Sequence, residues 1–310
     1  ADEAPAGAPA AAAGAGAAEG GPCGCQNGGV CFETLNGLTV NFCSCNAGWI
    51  GPVCGMDGET NKARMHPHTE NPQAARCDLG FKVFPYSEAK LWGTAFEGWE
   101  DCAGFKQSPI NIVTRGTKNL WYQKPLGTFF SGSSAKVDYV ENNGHAFEVP
   151  GDFGSVTIGD CRYDVSQFHF HAPSEHTVDG KRADMEMHIV TKCGRTGKSA
   201  VVAIFLEAVD GKHNDCLQNI FSAPAPLAGC EKPIGSINLS CFSTQLKGSY
   251  WRYDGSLTTP PCSQGVLWNV MKVRGTISKD QLAEFRSRYR ANNRPVQPTY
   301  SREVLFYHVR

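Results

Sequence analysis

Six of the fourteen cysteines fall between Cys23 and Cys54, and that density decides how the stretch folds. About thirty residues cannot bury enough apolar surface to hold a fold, so cross-links must do so. No cysteine in the chain stands in a C-x-x-C pair, the spacing of a zinc ribbon or a dithiol redox site. The six here and the eight elsewhere are therefore expected to form disulfides, which places the protein in an oxidising, extracytoplasmic compartment, secreted or equivalent.

The rest of the N-terminal part carries little that could pack. Residues 1–22 are almost wholly Ala, Gly, Pro and Glu, with five Gly and three Pro breaking any helix, so a disordered tether is expected. The start lacks an initiator Met and a basic region and reads as a mature N-terminus left after signal removal. Residues 56–80 are polar and aperiodic, a linker in which His66 and His68 are solvated strays. Lys+Arg of 29 against Asp+Glu of 30 gives a net charge of −1, which argues against a nucleic-acid partner. No apolar run reaches the ~18 residues of a transmembrane span.

Within 23–55, Asn27-Gly28-Gly29 supplies turn conformations and LTVNFCSC alternates as a strand. The spacing C-x5-C, then C-x-C-x8-C with Gly48, Trp49 and Gly51 in the last loop, resembles an EGF-like module. The cysteines alone leave every connectivity open. The resemblance implies Cys23–Cys31, Cys25–Cys43 and Cys45–Cys54, although only Gly24 separates the first two cysteines. Such a module serves as a spacer or as the contact for a protein partner. It lacks the acidic residues before Cys23 that would bind calcium.

From residue 81 to 310 the texture changes to short apolar or alternating runs (KVDYV, SVTI, AVVAIFLEAV, GVLWNVMKV) separated by Gly, Pro, Asn and Ser. That pattern predicts a mainly β domain. The best helix lies near 278–290, with Ser278 as N-cap and Leu282, Phe285 and Tyr289 on one face.

Two of these runs carry histidines at strand spacing. In QFHFH, His169 and His171 emerge on one face while Phe168 and Phe170 point into a core. In ADMEMHIV, Glu186, His188 and Val190 face away from Met185, Met187 and Ile189. If the two strands are neighbours, His169, His171 and His188 give three nitrogen ligands and leave a fourth position open, as in a catalytic zinc site. Gln167 and Glu186, each two residues before a ligand, can hold the second ring nitrogen of His169 and His188.

QSPINI at 107–112, NNGHAFEV at 142–149, QFHFHAPSEHTVDGK at 167–181, MEMHIV at 185–190, AVVAIFLEA at 200–208, YDGSLTTPPC at 253–262 and NNRPVQP at 292–298 resemble the α-class carbonic anhydrases. The resemblance covers roughly residues 80–310. It implies a large, mostly antiparallel central sheet with a few short helices. It also implies zinc-dependent, reversible hydration of carbon dioxide to bicarbonate by zinc-bound hydroxide. By the same resemblance the carbonyl of Asn292 holds His171, Thr258 and Glu175 orient the nucleophile, and Val190, Val201, Leu257, Val266 and Trp268 wall the carbon dioxide pocket. His145 then matches the proton shuttle, with Asn143 on the water path, and Cys102–Cys262 matches the disulfide of secreted members. His176 is expected to support the fold.

Two residues depart from the family pattern: Thr94 stands where a Tyr is common, and Glu148 replaces a neutral amide three residues past the shuttle. Glu148 would favour a charged His145 if it lay close. The pairing of Cys77, Cys161, Cys193, Cys216, Cys230 and Cys241 is not readable, and Asn238-Leu239-Ser240 is the one glycosylation sequon. An inactive relative that merely binds would have lost zinc histidines, and none is lost here. An interaction protein with secondary activity would rest its function on the EGF-like part.

Overall fold

A seven-residue alternation, Leu38 to Ser44, is strand, and it folds back on Val30–Leu35 with Phe32 opposite Phe42. These strands belong to the first of two compact units, residues 1–64 and 65–310. The computed structural model describes residues 85–310 except 131, 133–137, 223–225 and 290, together with the strand backbone at 30–35, 38–44, 49–50 and 56–57. Met56–Asp57, expected in the linker, pairs with Trp49–Ile50. The disulfides expected for the EGF-like module, the remaining linker with His66 and His68, and Cys77 lie outside the described residues.

In chain order the strands are β1 (Val30–Leu35), β2 (Leu38–Ser44), β3 (Trp49–Ile50), β4 (Met56–Asp57), β5 (Asn111–Ile112) and β6 (Lys118–Gln123). There follow β7 (Gly127–Phe130), β8 (Asp138–Asn142), β9 (Phe147–Pro150), β10 (Gly154–Ile158), β11 (Cys161–His171) and β12 (Thr177–Val178). The last are β13 (Met185–Cys193), β14 (Ser199–Ala208), β15 (Glu231–Gly235), β16 (Tyr250–Ser256), β17 (Gln264–Ile277) and β18 (Leu305–Val309).

Among the described residues the second unit is dominated by one twelve-stranded sheet in the order β15-β8-β9-β11-β13-β14-β17-β16-β18-β6, with β10 pairing both β11 and β7. Its pairs are antiparallel except β14–β17 and β18–β6. The fold is mainly β with a few short helices.

β14 lies near the centre of the sheet, which explains its unbroken apolar run: a strand covered on both faces has no position for a polar residue. Its Val202, Ile204 and Leu206 enter one cluster with Phe168, Phe170, Met185, Met187 and Ile189. Val201, Ala203 and Phe205 enter a second with Trp251, Val266, Trp268 and Val270. The site lies on the side of the second cluster, where His188 packs against Trp268 with ring centroids 4.9 Å apart.

The expected helix near 278–290 is shorter, spanning Lys279–Arg286. Ser278 accepts from Gln281 N at 3.1 Å while Gln281 Oε1 accepts from Ser278 N at 3.0 Å, a reciprocal cap. Beyond Arg286 the bonds mix i→i−4 and i→i−3, Arg288 N and Tyr289 N both donating to Phe285 O, so the helix frays over its final turn. Leu282 and Phe285 are buried.

Between described residues, three disulfides brace this unit: Cys102–Cys262, Cys161–Cys193 and Cys216–Cys241. Cys230 is also disulfide-bonded.

Gly255, in β16, lets Ser108 approach the strand closely. A Cβ there would lie 2.1 Å from Ser108 Oγ and 2.8 Å from Trp268 Cδ1. Gly255→Ala is expected to cost about 1–3 kcal/mol by overpacking. Urea unfolding checks this, and an unchanged midpoint contradicts it.

Candidate metal centre

The alternation of β11 changes phase once. Cys161, Tyr163 and Val165 enter the larger core, and so do Phe168 and Phe170 two strand turns later. A strict two-residue period would have sent Gln167, His169 and His171 into that core instead. A register irregularity between Val165 and Gln167 in the β11–β13 pairing switches the faces. It sets His169 directly opposite His188.

Each imidazole is held from behind by a different acceptor. His169 Nδ1 donates to Gln167 Oε1 at 2.8 Å, His171 Nδ1 to the carbonyl of Asn292 at 2.7 Å, and His188 Nε2 to Glu186 Oε1 at 2.8 Å. These bonds leave His169 Nε2, His171 Nε2 and His188 Nδ1 as lone pairs, the donors of one candidate metal cluster. His188 Nδ1 lies 3.3 Å from His169 Nε2. Two nitrogens at 2.0–2.1 Å from a tetrahedral zinc are separated by about 3.3 Å, so this spacing suits that ion. His171 Nε2 is buried with no hydrogen-bond partner, an orphan that a metal would satisfy.

Burial, reinforced by His171, His188 and His145, holds His169 well below the ordinary histidine range. Burial lowers His171 as well. The pocket therefore favours neutral imidazoles, the form that binds metal.

Glu186 is buried and takes three hydrogen bonds: Oε1 from His188 and, at 2.6 Å, from His176 Nδ1, and Oε2 from His176 N at 2.8 Å. Burial alone would raise its pKa, but His176 and His188 hold it well below the usual carboxylate range. His176, Glu186 and His188 are also close enough to form a metal group. Their facing atoms are already spent on one another, so the three-histidine cluster is the better site. His176 Nε2 continues to the Tyr253 hydroxyl at 2.7 Å, itself 2.8 Å from Ser108 Oγ. Sequence reasoning did not assign Tyr253 or Ser108, although both sit inside the YDGSLTTPPC and QSPINI runs.

Val201, Val266 and Trp268 are buried in the second apolar cluster, and Val190 and Leu257 pack against it. The five expected wall residues are thus one patch. Thr258 is buried, but no hydrogen bond joins it to Glu175. Glu175 Oε1 accepts from Arg294 N at 2.8 Å, and Oε2 has no hydrogen-bond partner. Thr94 is exposed and donates to Leu91 O at 3.3 Å. Asn238 is exposed, its Oδ1 accepting from Ser240 N at 2.9 Å.

His145 sits half-buried in a tight turn whose geometry Asn143 sets, its Oδ1 accepting from His145 N at 3.2 Å and Ala146 N at 2.9 Å. Glu148 Oε2 accepts from Asn143 Nδ2 at 3.1 Å and Gln167 Nε2 at 3.2 Å. Burial, then the neighbouring Glu141, pushes Glu148 from 4.5 to about 7.

Between about pH 4.5 and 7 the folded protein keeps the Glu148 proton while the unfolded chain releases it, so this stabilising contribution is lost as pH rises through about 7. Glu148→Gln removes that loss. Its stability relative to the unsubstituted protein should rise between pH about 5 and 8 by about 1–2 kcal/mol, screening included. Denaturant unfolding at both pH values measures this, and a pH-independent difference contradicts it.

A family model described as eukaryotic-type carbonic anhydrase matches residues 87–308. A carbonic anhydrase of Klebsiella pneumoniae is 38% identical over 220 residues, covering 69% of this chain and 85% of that protein. Alpha carbonic anhydrase 4 of Arabidopsis thaliana is 34% identical over 223 residues, covering 70% and 80%. Among solved structures, the α-carbonic anhydrase of Thermovibrio ammonificans in complex with the inhibitor sulfanilamide is 33% identical, with a TM-score of 0.63 and coverage of 73% and 98%. Sequence, sheet and buried histidine triad agree: the chain belongs to the eukaryotic-type carbonic anhydrases, a zinc-dependent family, and is an enzyme of reversible carbon dioxide hydration.

Proposed function

We propose that His169, His171 and His188 hold the zinc of this enzyme and that the surrounding residues divide the work of hydration. The observation that carries this is the three inward-facing ring nitrogens, each fixed from behind by Gln167, Asn292 or Glu186. When bound, zinc supplies the Lewis acidity that lets water act as a nucleophile at neutral pH, an effect for which carbonic anhydrases are the reference case.

The chain's own residues do the rest. The apolar patch of Val190, Val201, Leu257, Val266 and Trp268 takes up carbon dioxide, which offers no charge to bind. The Thr258 hydroxyl orients the attacking oxygen, and Glu175 Oε2, buried and without a partner, is the acceptor left for its proton. His145, half-buried at the site's edge, carries the released proton to solvent, a task suited to an imidazole, which can both accept and donate a proton.

Residues 81–310 form the catalytic domain in this reading. The cysteine spacing of 23–55 supports an EGF-like contact for a protein partner, which deletion of residues 1–60 would abolish. The described disulfides support an oxidising compartment, and among the described residues no helix is long and apolar enough to cross a membrane. Protein secreted by a eukaryotic host should lose mass at Asn238 on treatment with a glycosidase. No mass change would remove Asn238 as a glycan acceptor.

Chelation should abolish stopped-flow carbon dioxide hydration, and added zinc should restore it. His188→Ala should lose activity by more than about a hundredfold and no longer retain zinc. Activity that survives complete zinc removal would overturn the assignment.

A further inference from the structure

Glu148 lies between the two halves of the proposed machinery. It stands opposite His169 in the β9–β11 pairing and opposite Glu141 in the β8–β9 pairing. A single oxygen, Oε2, receives both the Asn143 and the Gln167 amide N–H. The far side of Asn143 fixes the backbone of His145 and Ala146. The far side of Gln167 holds His169. One carboxyl oxygen thus bridges the turn that carries His145 and the acceptor that aims a metal-binding ring.

Asn292 makes a matching link from the other side. Its Nδ2 donates to His145 O at 2.9 Å while its carbonyl holds His171. A half-buried carboxyl facing another glutamate is a costly choice for a strand residue, and an alanine would leave two amide donors without this acceptor.

We propose that Glu148 is a positioning residue that locks the His145 turn in register with the histidine centre. The proposal rests on the reading of His145 as the proton carrier. The lock sets the distance over which the proton leaves, so it governs turnover at saturating carbon dioxide and not the hydration step.

Glu148→Ala removes the shared acceptor. Glu148→Gln keeps an oxygen able to accept both bonds, and Glu148→Asp keeps the carboxyl but is too short to reach both amides. The Ala and Asp variants should lose about tenfold in kcat with kcat/KM within about threefold, and added imidazole should restore most of the loss. The Gln variant should stay within about twofold of the unsubstituted enzyme. Zinc release into excess dipicolinate should quicken severalfold in the Ala variant, because Gln167 loses its anchor.

The proposal falls if the Asp and Ala variants keep kcat, if imidazole fails to restore it, or if the Gln variant is as impaired as Ala. Should Ala not fold, Asp carries the test. His145→Ala, run alongside, separates the two readings. If it keeps full kcat, the shuttle assignment fails and takes the proposal with it. If it is impaired while the Glu148 variants are not, the proposal alone fails.

Discussion

A single break in the alternation of β11 decides which way the histidines face. Upstream of it odd-numbered residues enter the larger core, and downstream even-numbered ones do. Without it the strand would bury His169 and His171 among Phe and Met side chains, where no acceptor waits for a ring N–H. With it, Phe168 and Phe170 take the dry side, and His169 and His171 meet His188, which itself packs against Trp268. Bulges beside functional sites often re-aim side chains in this way.

Once the rings face inward, the remaining difficulty is electrostatic. Glu186 is a fully buried carboxylate, tolerable because its two oxygens collect hydrogen bonds from His176 twice and from His188. Arg294 solves the opposite problem nearby. Its guanidinium donates to Gln107 Oε1, Ser108 O and Cys102 O, while burial lowers its pKa to about 10. Its backbone N–H binds Glu175 and its charge lies over Trp92. The segment before the sheet is thereby fastened to the floor of the site, close to the Cys102–Cys262 bridge.

Periodicity made much of this legible. QFHFH and MEMHIV announce which residues share a face, and the double-sided apolar run of AVVAIFL announces a central strand. What periodicity could not show is the phase break before Gln167, because DVSQFHFH offers no Gly or Pro to mark it. The end of the last helix was likewise invisible, since Tyr289 keeps both the helical spacing and a bond to Phe285 O beyond the last helical residue. The Thr258–Glu175 bond expected from the family pattern is not formed, although Glu175 Oε2 is left without a partner while Oε1 binds the backbone of Arg294. The links from His176 to Tyr253 and from Tyr253 to Ser108 join residues far apart in the chain, which no local pattern reports.

The carbonyl that fixes His171 comes from Asn292, 121 residues further along. The histidines therefore leave the ribosome long before the group that selects the tautomer of one of them. The orientation of that ring is therefore settled only when the last stretch of polypeptide has folded back. A chain cut short before Asn292 would keep all three imidazoles yet lack the carbonyl that sets the tautomer of His171.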